Sequence, residues 1–343
     1  MTVENPLKNW SLRLEDIEFI GEGLQRPECI VAQPDGTLWV ADARGGVMKI
    51  DTDRNQSLIA PDVVAAHGDF NFEDRYVKAQ GASLPNGLAL TDEGDFIICN
   101  WGLDRIEKLY KATGKVEVLY DQLNGRPLGK TNFPLIDSKG RIWFTVTTTM
   151  QPWTESINSD ELDGYIGVID EQGIRIAADH IGGANEIRFD DQEEWLYVVE
   201  SNVRHISRFR VAEDGTLSDR EIYGPEELDG FPDGFAFDVY GNLWVTLVMV
   251  DKLIAITPEQ DVITILDDSN PSANALLNQH YRSKTLTPEI MQASRGTLAP
   301  WMASITFGGK DLKTVYLGSL QGTKIPYFRS PVAGQALRHW KTP

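Results

Sequence analysis

The sequence is poor in cysteine and in long apolar runs, and each shortage narrows the possible classes of protein. Only Cys29 and Cys99 occur in 343 residues, both inside apolar segments, which favours buried thiols over a disulfide. No apolar run reaches the roughly 18 residues of a membrane helix, so no membrane partner is expected. The first residues lack the basic segment and apolar stretch of a secretory signal, which predicts a cytoplasmic protein.

Basic residues are also scarce relative to acidic ones. The chain has 32 Lys and Arg against 51 Asp and Glu, a net charge of −19. Nucleic-acid binding depends on clustered Lys and Arg, so no nucleic-acid partner is expected. The five histidines form no pair with metal-ligand spacing, and neither a Gly-rich phosphate loop nor a G-x-S-x-G elbow is present. The charge predicts solubility and, more weakly, affinity for cations.

What the chain does contain is a repeat of about fifty residues. Each copy is a short apolar strand, a turn with Gly or Asp, and a second apolar strand, which is the sequence form of a β-hairpin. The six copies begin at Pro27, Pro85, Thr131, Ala184, Pro232 and Ala303. Six such repeats predict an all-β fold, a six-bladed β-propeller forming a single domain over residues 1–343.

The second residue of every copy is polar. These ring residues, 58, 46, 53, 48 and 71 positions apart, are Glu28, Asn86, Asn132, Asn185, Asp233 and Ser304. The innermost strands of a propeller all start at the same end of the central channel. The six side chains are therefore expected to meet in one ring. For any single asparagine, a hydrogen bond to nearby backbone is an alternative explanation.

Three other segments stand out from the repeats. Residues 14–23 read as a strand that is expected to close the last blade. Residues 61–83 and 268–299 are insertions, and each is expected to be either a lid over a site or surface decoration. Within the second insertion, Thr287, Pro288 and Gly296 predict a helix with an N-cap, a proline in its first turn and a glycine stop.

The repeats resemble the gluconolactonase and regucalcin (senescence marker protein) family, whose wider relatives include diisopropylfluorophosphatase and paraoxonase. The resemblance rests on PE in the first copy, N-x-x-x-x-D-x-x-G-R in the third, the strand-opening Asn of the fourth and PDG-x-x-x-D-x-x-G-x-L-W-V in the fifth. It implies a six-bladed propeller with a divalent metal in the channel, usually Ca²⁺ and sometimes Zn²⁺, Mg²⁺ or Mn²⁺. The metal ligands that it implies are Glu28, Asn132, Asn185 and Asp233.

The chemistry of these four side chains agrees with the resemblance. Two carboxylates and two amide carbonyls are hard oxygen donors, which suit Ca²⁺ or Mg²⁺. Because Ca²⁺ takes six to eight oxygens, four protein ligands leave positions for water or substrate. Asn86 belongs to the same ring, but the family usually supplies no direct ligand from that repeat. It is expected to be either a ligand or substrate contact or a structural residue.

The ends of the second strands return to the same face, because the first two strands of a blade are antiparallel. The candidate pocket-wall residues there are Asp42, Asn100, Trp101, Thr147, Thr148 and Glu200. Asn100 and Trp101 are expected to contact the substrate, with ordinary blade packing as the alternative for Trp101. Lys130 stands where the family often has an arginine that holds substrate. His180 is either a catalytic base or a surface residue.

Two positions depart from the family pattern. Phe133 and Pro134 follow Asn132 where sugar lactonases typically have Asp-Gly, and Glu186 follows Asn185 where glycine is usual. Phe133 and Glu186 are therefore candidate substrate-binding residues, and the aromatic ring makes a partly apolar substrate plausible.

The resulting expectation is a divalent-metal-dependent hydrolase, a lactonase, acting on a small-molecule substrate. The metal would polarise the carbonyl, Asp233 would serve as general base or nucleophile, and Lys130 and Asn100 would orient the substrate. The alternatives are a phosphotriesterase-like hydrolase, a metal-dependent lyase or isomerase, and a non-catalytic calcium- or metabolite-binding protein. The sequence does not predict the oligomeric state.

Overall fold

The computed structural model describes residues 4–61, 76 and 81–341. It contains six four-stranded antiparallel sheets, arranged as the blades of a six-bladed β-propeller, which confirms the predicted fold. Blade 1 consists of β2 Ile30–Ala32, β3 Leu38–Asp42, β4 Gly46–Ile50 and β5 Gln56–Ile59. Blade 2 consists of β6 Pro85–Leu90, β7 Phe96–Asn100, β8 Arg105–Leu109 and β9 Val116–Tyr120. Blade 3 consists of β12 Thr131–Ile136, β13 Ile142–Val146, β14 Gly164–Asp170 and β15 Gly173–Ile181. A two-stranded hairpin, β10 Gln122–Leu123 and β11 Arg126–Pro127, joins blades 2 and 3.

The other half of the propeller repeats this plan. Blade 4 consists of β16 Ala184–Phe189, β17 Trp195–Glu200, β18 His205–Val211 and β19 Leu217–Ile222. Blade 5 consists of β20 Phe231–Phe237, β21 Leu243–Val248, β22 Lys252–Ile256 and β23 Val262–Asp267. Blade 6 consists of β24 Met302–Gly308, β25 Thr314–Ser319, β26 Ile325–Arg329 and β1 Glu18–Ile20. In blade 6, β1 pairs antiparallel with β26, Glu18 opposite Tyr327. The predicted closure of the last blade by a strand from the start of the chain is confirmed. This pairing covers an edge that would otherwise be open to other chains.

The Asp and Trp residues of the repeats stabilise the hairpins. Asp137 accepts hydrogen bonds from the backbone N–H of Arg141 and from Trp143 Nε1, each at 2.9 Å. Asp238 likewise accepts from Trp244 Nε1 at 2.8 Å. These contacts give the motif residues of the third and fifth copies a structural role at the turn of each blade.

Five of the six innermost strands contain a β-bulge at the ring residue. The strand pairing shifts register between Pro85 and Leu88, Thr131 and Pro134, Ala184 and Ile187, Pro232 and Phe235, and Met302 and Ile305. A bulge changes the direction of the side chains beside it, and bulges are common next to active sites. The irregularity therefore coincides with the positions that carry the polar ring.

The described residues also form four α-helices: α1 Glu155–Asn158, α2 Pro271–Arg282, α3 Pro288–Ala293 and α4 Arg338–Lys341. In the described part of the chain, none is long and apolar enough to cross a membrane. The predicted helix after Thr287 is confirmed as α3, with the Thr287 side chain accepting from the N–H of Ile290.

Of the two predicted insertions, the structure describes the second in full and only a few residues of the first. Residues 62–75 and 77–80 lie outside the described residues, so the proposed lid there is not described. The insertion 268–299 holds α2 and α3, and Leu277 and Met291 are buried in one hydrophobic cluster with Trp301 and Tyr76. Its role as a lid stays a prediction.

The last described residues cross the end of the channel opposite the ring residues. This segment, residues 334–341, is called the strap below. Its hydrogen bonds reach all six blades: Gly334 to Leu312, Gln335 to Phe237, Arg338 to Asp92 and to the carbonyl of Asp137, Trp340 to Ala32 and Lys341 to Asp191. The channel is therefore covered at that end.

Candidate active site

The ring residues meet at one end of the channel, as their spacing predicts. Asn86 Nδ2 donates to Glu28 Oε1 at 3.2 Å and to Asn132 Oδ1 at 3.1 Å. The hydroxyl of Ser304 donates to the backbone carbonyl of Glu28. Blades 6, 1, 2 and 3 are thus joined through their ring residues.

Two hydroxyl groups continue the ring around its other half. Asn132 Nδ2 donates to Thr147 Oγ1 at 3.0 Å, and Asn185 Nδ2 donates to Ser201 Oγ at 3.2 Å. Each hydroxyl then donates to a backbone carbonyl of the next blade. These bonds use the amide N–H groups of both asparagines, so their carbonyl oxygens are the atoms left for a cation.

Two oxygens of the ring lack, in the described part of the chain, the partners that buried polar atoms usually have. Glu28 Oε2 and Asn185 Oδ1 are buried and have no hydrogen-bond partner among residues 4–61, 76 and 81–341. Buried polar atoms are nearly always bonded, so such exceptions call for an explanation. Together with Asn132 Oδ1 and the buried Asp233 carboxylate, they form a set of hard oxygen donors that fits Ca²⁺ or Mg²⁺.

The ring also concentrates negative charge where water is excluded. Burial raises the pKa of Glu28 to about 7, an effect that the charge of Arg26 opposes. Burial, with the charges of Glu28 and Glu186, raises the pKa of Asp233 well above its usual range. Burial also raises the pKa of Glu186 to about 8, against the effect of Arg188. A bound divalent cation would offset the repulsion between these carboxylates.

The asparagines are essential to any cation site here. Within residues 4–61, 76 and 81–341, no three His, Cys, Asp or Glu side chains form a group that could hold a metal ion. A cation at the ring would therefore need the amide oxygens of Asn132 and Asn185 in addition to Glu28 and Asp233.

Two threonines that the sequence analysis missed support the ring. Thr145 Oγ1 accepts from the N–H of Phe133 at 3.1 Å and donates to the carbonyl of Asn185 at 2.6 Å. Thr246 accepts from the N–H of Gly234 at 3.0 Å in the same way. Both follow a tryptophan by two residues in the second strand of their copy, and this Trp-x-Thr pattern was an available signal.

Arg26 is a second residue that the sequence analysis missed. It is buried, its φ of 56° lies in the left-handed region, and its Nη1 donates to the carbonyl of Pro85 at 3.0 Å. Its Nη2 donates to Asn86 Oδ1, which leaves Asn86 Nδ2 free to reach Glu28 and Asn132. Arg26 lies just before β2, the innermost strand of blade 1, and no motif pointed to it.

Lys130 and Asn100 use their polar groups within the protein. Lys130 Nζ lies 2.8 Å from Asp104 Oδ1 and donates to the carbonyl of Trp101 at 3.2 Å. Asn100 Nδ2 donates to Glu107 Oε2 at 2.9 Å, and its Oδ1 accepts from a backbone N–H. Their proposed contacts with substrate stay predictions.

Phe133 and Glu186 both contact Arg188. The Arg188 guanidinium lies 4.5 Å from the centre of the Phe133 ring, and Nη2 donates to Glu186 Oε2 at 2.9 Å. Phe133 lines a small space beside the strap. Their contact with substrate also stays a prediction.

A small cavity adjoins the ring. Its volume is about 40 Å³, and Asn132, Asn185 and Asp233 line it on one side. Such a volume suits an ion with a water or two. The other lining residues are Thr147, Ser201, Asn202 and a set of apolar side chains, among them Tyr76, Trp101, Trp153, Ile157, Phe231, Val248, Met249, Trp301 and Leu320.

The remaining candidates from the sequence lie away from this cavity or bond within their blades. Asp42 pairs with Arg44, Thr148 with Asp163 and Glu200 with Arg220. His180 lines a separate surface groove near Leu128 and Asp179. A catalytic role for His180 stays a prediction.

Comparison with known proteins identifies the family of this chain. The SMP-30/Gluconolactonase/LRE-like region matches residues 27–276. The chain is 23% identical over 299 residues to the 6-deoxy-6-sulfogluconolactonase of Pseudomonas putida, covering 85% of this chain and 86% of that protein. The fold is similar to a gluconolactonase from Xanthomonas campestris, with a TM-score of 0.64, 17% identity and coverage of 91% and 89%. It is also similar to the calcium-binding protein regucalcin from Agrobacterium tumefaciens, with a TM-score of 0.65, 14% identity and coverage of 94% and 97%. The chain therefore belongs to the SMP-30/gluconolactonase/LRE-like family.

Proposed function

We propose that this protein is a divalent-metal-dependent lactonase that hydrolyses a cyclic ester of a small molecule. The observation that carries the proposal is the ring of Glu28, Asn132, Asn185 and Asp233, in which two buried oxygens have no hydrogen-bond partner among the residues that the structure describes. The family, together with a lactonase among the relatives, supports the reaction class.

Ca²⁺ is the cation that the donors favour. Two carboxylates and two amide oxygens are all hard ligands, and the set holds no thiolate or imidazole that would select a softer metal. Mg²⁺, Mn²⁺ and Zn²⁺ stay candidates for the same site. When bound, the cation would polarise the lactone carbonyl and stabilise the negative charge that develops on its oxygen.

Asp233 is the proposed general base. It borders the cavity, and its carboxylate is a group that can accept a proton. It would take the proton from a water molecule that attacks the carbonyl carbon. That proton would then pass to the ring oxygen as the ester C–O bond breaks, giving the open hydroxy acid. Direct attack by the Asp233 carboxylate is the alternative role.

Asn86 and Arg26 are proposed to position the ligands. Arg26 fixes the Asn86 amide, and Asn86 in turn holds Glu28 and Asn132. Both act through other residues, so their loss should change metal affinity more than the chemical step.

The test is a substrate screen with the metal controlled. Protein stripped of metal, verified by elemental analysis, is offered sugar, aliphatic and aryl lactones and a phosphotriester, with and without Ca²⁺, Mg²⁺, Mn²⁺ or Zn²⁺. Acid release from lactones only in the presence of metal is the expected result. Turnover of the phosphotriester alone would favour a phosphotriesterase. Tight metal binding without turnover of any substrate would favour a binding protein.

A further inference from the structure

Aromatic rings form one part of the wall of the cavity beside Asp233. The centre of the Tyr76 ring lies 5.4 Å from that of Trp101, 5.1 Å from that of Trp153 and 6.4 Å from that of Trp301. Trp101 and Trp153 meet edge to face at 5.3 Å. The three tryptophan side chains are called the aromatic slot, and the Tyr76 ring packs against all of them.

Apart from the ring residues Asn132, Asn185 and Asp233 and the indole N–H of Trp101, the polar groups in the same walls are bonded to the protein. The hydroxyl groups of Thr147 and Ser201 donate to the backbone carbonyls of Ala184 and Pro232, at 2.8 and 2.6 Å. Asn202 Nδ2 donates to Ser156 Oγ at 3.1 Å. The indole N–H groups of Trp153 and Trp301 donate to the backbone carbonyls of Tyr76 and Met291, at 2.9 and 3.3 Å. They have little capacity left for the hydroxyl groups of a sugar.

Trp101 is the exception among the tryptophans of the slot. Its Nε1 is buried and has no hydrogen-bond partner among the described residues. An indole N–H is a donor only, so it can satisfy one acceptor oxygen of a ligand. The slot therefore offers a broad apolar surface and a single free donor.

We infer that the substrate is a lactone carrying a hydrophobic aryl or alkyl substituent in place of the hydroxyls of a sugar lactone. The inference rests on the proposed lactonase function and names its substrate class. A hydroxyl group buried without a partner costs roughly five- to hundredfold in affinity, and a sugar lactone carries several. Aromatic rings, in contrast, pack favourably against one another beyond the area that they bury.

Tyr76 shows what the slot accommodates. Its phenol ring stacks on Trp101 with an interplanar angle of 25°, and the Arg26 guanidinium lies 4.9 Å from its centre. The remaining cavity of about 40 Å³ is too small for a substituted lactone. An aryl substituent would therefore take the place of the Tyr76 ring and make the same contacts.

The first test uses the unaltered protein with Ca²⁺ bound. Values of kcat/KM are compared for phenyl- and pentyl-substituted δ-lactones and for glucono-δ-lactone. A preference of at least about tenfold for the substituted lactones is expected. Preference for gluconolactone would overturn the inference and leave the lactonase proposal standing. Hydrolysis of no lactone would refute the proposed function instead.

The second test measures binding without turnover. A phenyl-substituted δ-lactam, which resembles the lactone but resists hydrolysis, is titrated while tryptophan fluorescence is recorded. Binding should quench the fluorescence, and Tyr76→Ala should tighten binding because the competing ring is gone. The matched control is Tyr110→Ala, which removes a tyrosine from the outer part of blade 2. Absence of lactam binding, or equal affinity in Tyr76→Ala and the unaltered protein, would contradict the inference.

Discussion

The two ends of the central channel differ in whether their buried polar groups have hydrogen-bond partners. At the strap, Arg338, Trp340 and Lys341 each bond to a different blade, and no strap side chain is among the buried unpartnered atoms of the described residues. At the ring, Glu28 Oε2 and Asn185 Oδ1 have no hydrogen-bond partner within the described part of the chain. One fold thus carries a sealed end and an end with free oxygens.

This difference indicates that the strap contributes mainly to stability and the ring mainly to function. Unpaired buried oxygens cost free energy in the protein alone, so they are kept where a ligand can satisfy them. Paired groups at the strap instead hold the blades together. Substitutions at the ring should therefore change metal affinity and turnover, whereas substitutions at the strap should change the free energy of unfolding.

The largest expected effect is on turnover, from Asp233→Asn. The amide keeps an oxygen donor of nearly the same shape but cannot act as a base. A general base contributes about 10²- to 10⁴-fold in rate, so kcat should fall by at least that order at saturating metal. Metal content is confirmed by elemental analysis, and Asp219→Asn, an exposed position on β19, serves as control. Near-normal kcat with a filled site would place the base elsewhere, with Glu186 and then His180 as the next candidates.

The next effect is on metal affinity, from Asn86→Ala. Groups that orient metal ligands typically contribute about 10- to 100-fold in affinity. The dissociation constant for Ca²⁺, measured by calorimetry, should rise by that factor, and kcat at saturating Ca²⁺ should change much less. If Ca²⁺ binds Asn86→Ala as tightly as it binds the unaltered protein, the bonds from Asn86 to Glu28 and Asn132 do not organise the site.

A third prediction concerns pH in the metal-free protein. The folded pKa values of Glu28, about 7, and Glu186, about 8, lie above the roughly 4.3 of an unfolded glutamate. Their protonated forms therefore contribute stability that is complete below about pH 4 and is lost as pH rises through 7 and 8. The Tm without metal should fall between pH 5 and pH 9.

Calcium should reverse this trend. A ligand that binds only the folded state stabilises it by roughly 2.7 kcal/mol at a hundredfold excess over Kd. Because protons compete with the cation for the carboxylates, the gain in Tm on adding Ca²⁺ should be larger at pH 8 than at pH 6. The same gain at both values would mean that Glu28 and Asp233 do not bind the cation.

The smallest expected effect is at the strap. Arg338→Ala removes a bidentate pair with Asp92 and a bond to the carbonyl of Asp137. The free energy of unfolding should fall by about 1–3 kcal/mol, while the Kd for Ca²⁺ stays unchanged. Lys341→Ala breaks an exposed pair with Asp191 and should cost about 0–1 kcal/mol. A loss of metal binding in Arg338→Ala would show that the two ends are coupled.

The repeats in the sequence were enough to predict the blades and the ring residues. The register of the repeats located the ring from Glu28 to Ser304 because each copy folds as the same hairpin. The closing strand Glu18–Ile20 and the helix after Thr287 followed from edge and capping rules. The β-bulges that shift the pairing at the ring were not predicted, because a bulge adds a residue without interrupting the apolar pattern.

Residues outside the repeats were harder to place. Tyr76, Trp153 and Trp301 lie in connections between strands, where only tertiary packing decides position. Arg26 precedes the first hairpin and acts through Asn86, so no local pattern marks it. The same applies to the strap, whose partners are distant in sequence. Phe133, which suggested an apolar substrate, lies beside the strap, whereas the rings that line the cavity at Asp233 are those of the aromatic slot.

Calorimetric titration of Ca²⁺ into the metal-stripped protein tests the central claim most directly. The titration is run at pH 7 in two buffers with different heats of ionisation, so that protons released on binding can be counted. The account predicts one Ca²⁺ per chain, release of protons from carboxylates whose pKa is raised by burial, and weaker binding in Glu28→Gln. A folded, verified metal-free protein that gives no binding heat, or that binds Ca²⁺ without releasing protons, would contradict it.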